Sequence, residues 1–273
     1  MFKEKLENVR SKSPLIHSIT NYVTVGDCAN ILLACGGSPI MADEPEEAEE
    51  ITSICGGLNI NIGTLNRHTI PAMLTAGKKA NQCGHPVLLD PVGAGASSLR
   101  TDTARGLLEA IDFTVIRGNI SEIKSLAAGS GTTKGVDADV ADAVREQTLE
   151  QAVAFAKEFS SQSHSIIAIT GAIDIVAGPE KAYVIRNGHP MMSRITGSGC
   201  MLSAMMTAYL AANPDDPLGA AAAAVCAMGL CGETAYSRLA EGEGNASYRN
   251  RLIDAVYHLD GDTLEEGANY EMR

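Results

Sequence analysis

The sequence is short of basic residues. Its 273 residues carry 21 lysines and arginines against 33 aspartates and glutamates, a formal net charge of −12. Nucleic acid and anionic membranes are held by clustered Lys and Arg, so neither is expected as a partner. A phosphate site is not excluded, because backbone amides and one or two cations suffice to build one. No CxxC pair occurs among the seven cysteines, and their number is odd. Neither a disulfide framework nor a zinc motif is indicated, and this usage points to a cytoplasmic protein. The six histidines are scattered without metal-ligand spacing. The N-terminal MFKEKLENVRSKSP lacks the apolar core of a signal peptide and reads as an amphipathic helix. The longest weakly polar run, residues 218–232, is short for a membrane span and rich in Ala, which suits a buried helix. No linker, repeat or low-complexity block divides the chain. A single domain over 1–273 is expected, with 260–273 as a polar tail.

What the sequence does contain is an alternation of short apolar runs with helical patterns. LIHSI (15–19), SPIMA (38–42), LNINIG (58–63), PVLLDP (86–91) and FTVIRGN (113–119) each precede a helical stretch. After a helical 137–160 come SIIAIT (165–170) and a hairpin-like DIVAG…KAYVIRNG. Ala-rich helical runs follow at 200–212 and 217–240, then a terminal helix at 246–259. This is the pattern of an α/β fold with a mostly parallel central sheet and helices on both faces. Ligands in such folds sit outside the carboxyl ends of the strands. Polar residues gather there: Thr20 and Asn21, Met41, Gly63, Asp90, Arg117 with Asn119 and Glu122, and Thr170 with Gly171.

Each of these residues has two readings. Asp90 leaves an apolar strand and could hold magnesium, or it caps an Asp-Pro turn. Glu122 lies three residues after Asn119. It could close a capping box, anchor magnesium through water, or do both. Arg117 can present a fork of donors to phosphate or form a surface ion pair. Thr170 offers a hydroxyl to a nucleotide phosphate. Met41 is either core packing or a thioether edge for an aromatic sulfur heterocycle. Asn21 can bond a substrate or cap the following helix. The loop Thr196-Gly197-Ser198-Gly199-Cys200 opens a long apolar helical run, where free N–H groups and the helix dipole attract an anion. Cys200, in the first turn, is expected to have a lowered pKa from that dipole; the other reading is a tight turn with an inert core cysteine.

HSITNYV, SPIMA, NIGTL, LLDPVGAGA, IRGNISEI, IAITG and TGSGC occur in this order and spacing. Together they resemble the hydroxyethylthiazole kinases of the ribokinase-like superfamily, from about Pro14 to the final helices. The resemblance implies a three-layer ribokinase-like fold without a separate lid domain. It implies transfer of the γ-phosphate of ATP, with magnesium, to the primary hydroxyl of 4-methyl-5-(2-hydroxyethyl)thiazole in thiamine salvage. Asn21, Met41, Gly63, Thr196 and Gly197 would line the thiazole site, and Arg117, Thr170 and Gly199 would contact ATP. Asp90 and Glu122 would organise magnesium. Cys200 would stand where most ribokinase-like enzymes keep a catalytic Asp. Family members are trimers, with thiazole sites near subunit boundaries.

Two positions depart from the family pattern. Tyr22 stands where a small polar residue or Asn is common, and Ala172 where an acid is common. A hydroxymethylpyrimidine kinase or a nicotinamide-nucleotide-hydrate dehydratase should carry Asp at position 200. A non-catalytic nucleotide- or thiamine-precursor-binding regulator should have lost Asp90, Glu122 or the glycine loop.

Overall fold

Runs that are apolar throughout, rather than alternating, are suited to strands covered on both faces. A computed structural model of the chain describes residues 1–128 and 144–273. In it these runs become the middle of a sheet. The strands are β1 (Leu15–Ile19), β2 (Ser38–Ile40), β3 (Gly57–Asn61), β4 (Val87–Asp90), β5 (Val115–Gly118), β6 (Ile166–Ile169), β7 (Asp174–Ala177), β8 (Ala182–Ile185) and β9 (Tyr270–Met272). Their order is β2-β1-β3-β4-β5-β6-β7-β8-β9. Neighbours from β2 through β6 are parallel, and β7, β8 and β9 are added antiparallel. Every residue of β3 and of β4 is buried.

Helices cover both faces. One core joins the sheet to α1 (Phe2–Lys12), α2 (Val25–Cys35), α8 (Ser198–Ala212), α9 (Pro217–Ser237) and α10 (Asn245–His258). The other joins it to α3 (Pro45–Ile54), α4 (Thr69–Cys83), α5 (Ser98–Ala110), α6 (Ile120–Ala127) and α7 (Leu149–Ser163). Both α8 and α9 are apolar around their whole circumference, as buried helices are. By length and composition α9 could cross a membrane, but 78% of its apolar window is buried inside the fold. Its alanines let α8 and α10 approach closely.

Most run ends shift by one or two residues from the sequence expectation, and three differences bear on the site or the fold. The helical reading of 137–160 lies partly outside the described residues; its described part is α7, entered through a 3-10 turn at Glu146–Thr148. The run read to Gly63 ends as a strand at Asn61, where Gly63 turns away. Residues 260–273 are not a polar tail. Asp260 caps α11 (Gly261–Gly267) by accepting the Thr263 N–H at 2.7 Å, and α11 packs on α1. The chain then pairs as β9 along β8, with Tyr183 opposite Met272 and Ile185 opposite Tyr270. Leu264 and the ring of Tyr270 against Phe2 supply an apolar anchor that a count of charged residues hides.

Candidate functional site

The parallel strands bring their carboxyl ends to one edge, and α8 starts beside them. Asn21 follows β1, Gly63 follows β3, Asp90 ends β4, Arg117 lies in β5 and Thr170 follows β6. Cys200 is the third residue of α8 and is half-buried. Its Sγ accepts from Asn21 Nδ2 and from Asn61 Nδ2, each at 3.3 Å. The second Nδ2 hydrogen of Asn61 goes to Asp90 Oδ2 at 2.8 Å, and Asn61 Oδ1 accepts from Asn21 Nδ2 at 3.1 Å and Gly63 N–H at 2.9 Å. Sequence reasoning missed Asn61. Its signal was there: an amide inside the apolar run LNINIG must find partners when buried, or cost stability.

Asp90 is wholly buried. Its Oδ2 also accepts from Ser203 Oγ at 2.8 Å and faces Arg117 Nη1 at 3.5 Å, while Oδ1 has no protein partner. Burial raises its pKa; the Arg117 charge and the Ser203 and Asn61 hydrogen bonds oppose that rise. Arg117 donates through Nη2 to Thr170 Oγ1 at 2.6 Å, and its buried Nε has no acceptor. The guanidinium lies against Gly199, where an added Cβ would come within 2.6 Å of both terminal nitrogens. Only glycine there leaves Arg117 beside the start of α8.

Before Cys200 the loop turns at Gly197, whose φ of 84° suits glycine. The first helical bond of α8 runs from Met201 N–H to Gly197 O at 2.8 Å, so the N–H groups of Ser198, Gly199 and Cys200 precede the ladder. Ser198, Gly199, Arg117 and Thr170 line a cleft of about 650 Å³, which Val225 and Met228 of α9 also line. Thr196, at the loop's entrance, is exposed.

Met41, just past β2, is half-buried and packs on the α8–α9 side of the core. Glu122 and Asn119 form a capping box on α6: Glu122 Oε2 accepts the Asn119 N–H at 2.9 Å, and Asn119 Oδ1 accepts the Glu122 N–H. Glu122 Oε1 accepts the Gly93 N–H at 2.8 Å, tying the loop after β4 to α6. Asn21 has no spare hydrogen for a ligand, since both are given to Asn61 and Cys200. It acts as a wall of the site. Tyr22 points outward and is 77% exposed.

The expected lowering of the Cys200 pKa is overturned. Burial pushes the thiol up, and the nearby Asp90 charge adds to the rise. Hydrogen bonds from Thr24 and Asn61 and the Arg117 charge pull the other way without reversing it. At neutral pH the group is a thiol. The helix dipole favours the thiolate, but the protein packed around the Cys200 side chain outweighs it.

A mostly parallel sheet of this order with helices on both faces matches the ribokinase-like α/β fold. The chain belongs to the hydroxyethylthiazole kinase family, whose model matches residues 6–262. It is 67% identical to a hydroxyethylthiazole kinase from Clostridium acetobutylicum, covering 99% of each chain. It is 47% identical to another from Desulfovibrio desulfuricans, over 98% of this chain and 97% of that one. Among solved structures, the hydroxyethylthiazole kinase protein from Pyrococcus horikoshii superposes with a TM-score of 0.88 at 33% identity, covering 100% of this chain and 98% of that one.

Proposed function

We propose that this protein is a hydroxyethylthiazole kinase of thiamine salvage. It transfers the γ-phosphate of ATP to the primary hydroxyl of 4-methyl-5-(2-hydroxyethyl)thiazole, in the cytoplasm. The observation that carries the reading is the junction at Cys200. On one side lie Asn21, Asn61 and Gly63; on the other lie the α8 amides and Arg117. An alcohol held against the first group faces a phosphate held by the second. Met41 and Thr196 belong to the alcohol side in this reading. The cleft from Thr170 to Met228 has room for a nucleoside, with its phosphates toward Gly199 and Arg117.

The residues fit magnesium only as an ion that arrives with the nucleotide. Among the described residues no three His, Cys, Asp or Glu side chains gather into a cage. Magnesium commonly keeps several waters and binds phosphates plus one or two carboxylates. Glu122 can reach such an ion through water with the lone pairs its two backbone bonds leave. Asp90, buried with a free Oδ1, contributes charge behind Arg117. When bound, the ion neutralises charge on the transferring phosphoryl group.

The chain's own groups do the rest. The α8 amides and Arg117 oppose the charge on the transferring group, and the amide pair holds Cys200 toward the hydroxyl. The exposed Tyr22, Val23 and Val25 beside the thiazole side support assembly as a homotrimer. A crystal structure with the thiazole alcohol bound tests both points. The expected result is the hydroxyl in contact with Cys200 Sγ and a pocket completed by a second copy about a three-fold axis. The alcohol bound elsewhere, or a monomer with a complete pocket, would refute this arrangement.

A further inference from the structure

We infer that Asn61 is the positioning residue of this site: it fixes Cys200 as a hydrogen-bond acceptor and links it to Asp90. The inference rests on the reading of Cys200 as the group beside the acceptor hydroxyl. Its warrant is the orientation of two buried amides. Gly63 N–H is a donor that cannot change role, and it points at one end of the Asn61 side chain. That end must be the oxygen. The NH2 end therefore faces Asp90 Oδ2 and Cys200 Sγ, and all four hydrogen-bonding positions of Asn61 are used. Asn21 is fixed in the same way, because its Oδ1 accepts the Thr24 backbone N–H at 3.1 Å. Its NH2 group must then face Asn61 and Cys200.

The consequence falls on sulfur. Two N–H groups directed at Sγ occupy its lone pairs on the protein side, so the S–H bond is turned away from them. Hydrogen bonds of this kind strengthen as the acceptor gains negative charge. They hold the sulfur in place and favour its ionised form against the burial that disfavours it. The charged and titratable groups around the thiol are Asp90 on β4, Arg117 on β5 and Cys28 on α2. Asn61 reaches Asp90 and Cys200 with one NH2 group, so the carboxylate polarises the amide that serves the thiol.

The test follows alkylation of Cys200 by iodoacetamide with Cys83, the exposed cysteine, changed to serine. Asn61→Ala is expected to slow alkylation at neutral pH about tenfold and move its pH midpoint upward by about one unit, the size of one charge-assisted hydrogen bond. Turnover should fall at least as far, with KM for ATP within about twofold, because the α8 amides are untouched. Asn61→Ser, which keeps one donor, should lie between. If both variants fail to fold, wild-type protein labelled with 15N-asparagine serves instead. Capping Cys200 with a methylthio group should shift the side-chain amide signals of Asn61 and Asn21. A folded Asn61→Ala protein with an unchanged alkylation profile, or amide signals that stay still on capping, would overturn the inference. A Cys200→Ala protein with wild-type turnover would instead remove Cys200 from the reaction, an outcome the alkylation experiment reads separately.

Discussion

Cys200→Ala is expected to lower turnover by up to about 10²–10⁴-fold, the range of general-base help, while leaving measurable activity. A primary alcohol is too weak an acid to be ionised in advance by a thiolate or a carboxylate. Phosphoryl transfer has a loose transition state, so the hydroxyl proton leaves late. The base then contributes less than the α8 amides and Arg117, which the alanine variant retains. Burial keeps the Cys200 thiol protonated at neutral pH, so only a minor fraction of the protein carries a proton acceptor there. Two further results follow. Wild-type turnover should rise with pH from neutral into the alkaline range, because the raised thiol must lose its proton. Cys200→Asp should stay active, could exceed the wild type at neutral pH, and should shift the rise to lower pH. No phosphocysteine should be trapped, because the alcohol attacks phosphorus directly. A folded alanine variant with wild-type turnover would make Cys200 an inert packing residue. Melting temperatures measured beside the rates separate the two.

The second large effect is expected at the carboxylates. Asp90→Asn keeps the size of the side chain but removes the charge that Arg117 faces at 3.5 Å. The guanidinium is then free to shift, and with the amide oxygen kept where Ser203 and Asn61 donate, the NH2 group falls at the buried Oδ1 position, which has no protein partner. Turnover should fall about 10²-fold, on the scale of losing a preorganised electrostatic contact. A drop in melting temperature should accompany it, because a buried network loses a partner. Glu122→Gln is different. It removes one of two backbone acceptors on α6, a cap change of about 1 kcal/mol. It should also raise the magnesium concentration needed for half-maximal turnover. Rates measured across magnesium concentrations, beside thermal melts, decide the matter. If both variants keep wild-type turnover at limiting magnesium, Glu122 is a capping residue and Asp90 a structural one.

The fold was readable because parallel strands covered on both faces leave unbroken apolar runs, and PVLLDP and SIIAIT are such runs. The site edge was readable for the same reason: a run's end marks where Asp90 or Thr170 must emerge. Asn61 is legible only as one of two amides, with Asn59, that must find partners if LNINIG is buried; that it serves Cys200 and Asp90 depends on residues far away in the chain. The Cys200 pKa was misjudged because burial depends on what packs around α8, which local sequence does not state. Residues 260–273 looked like a tail because β9 owes its existence to β8, its neighbour across the sheet. The Glu122–Asn119 capping box was legible in full, since capping depends only on residues three apart.

The most direct test of the kinase reading is ADP formation by the purified protein with each acceptor in turn. ADP should form when ATP, magnesium and 4-methyl-5-(2-hydroxyethyl)thiazole are all present, and 31P NMR should show a phosphate monoester of the thiazole alcohol. No ADP with the thiazole alcohol, or an equal rate with hydroxymethylpyrimidine, would contradict the account.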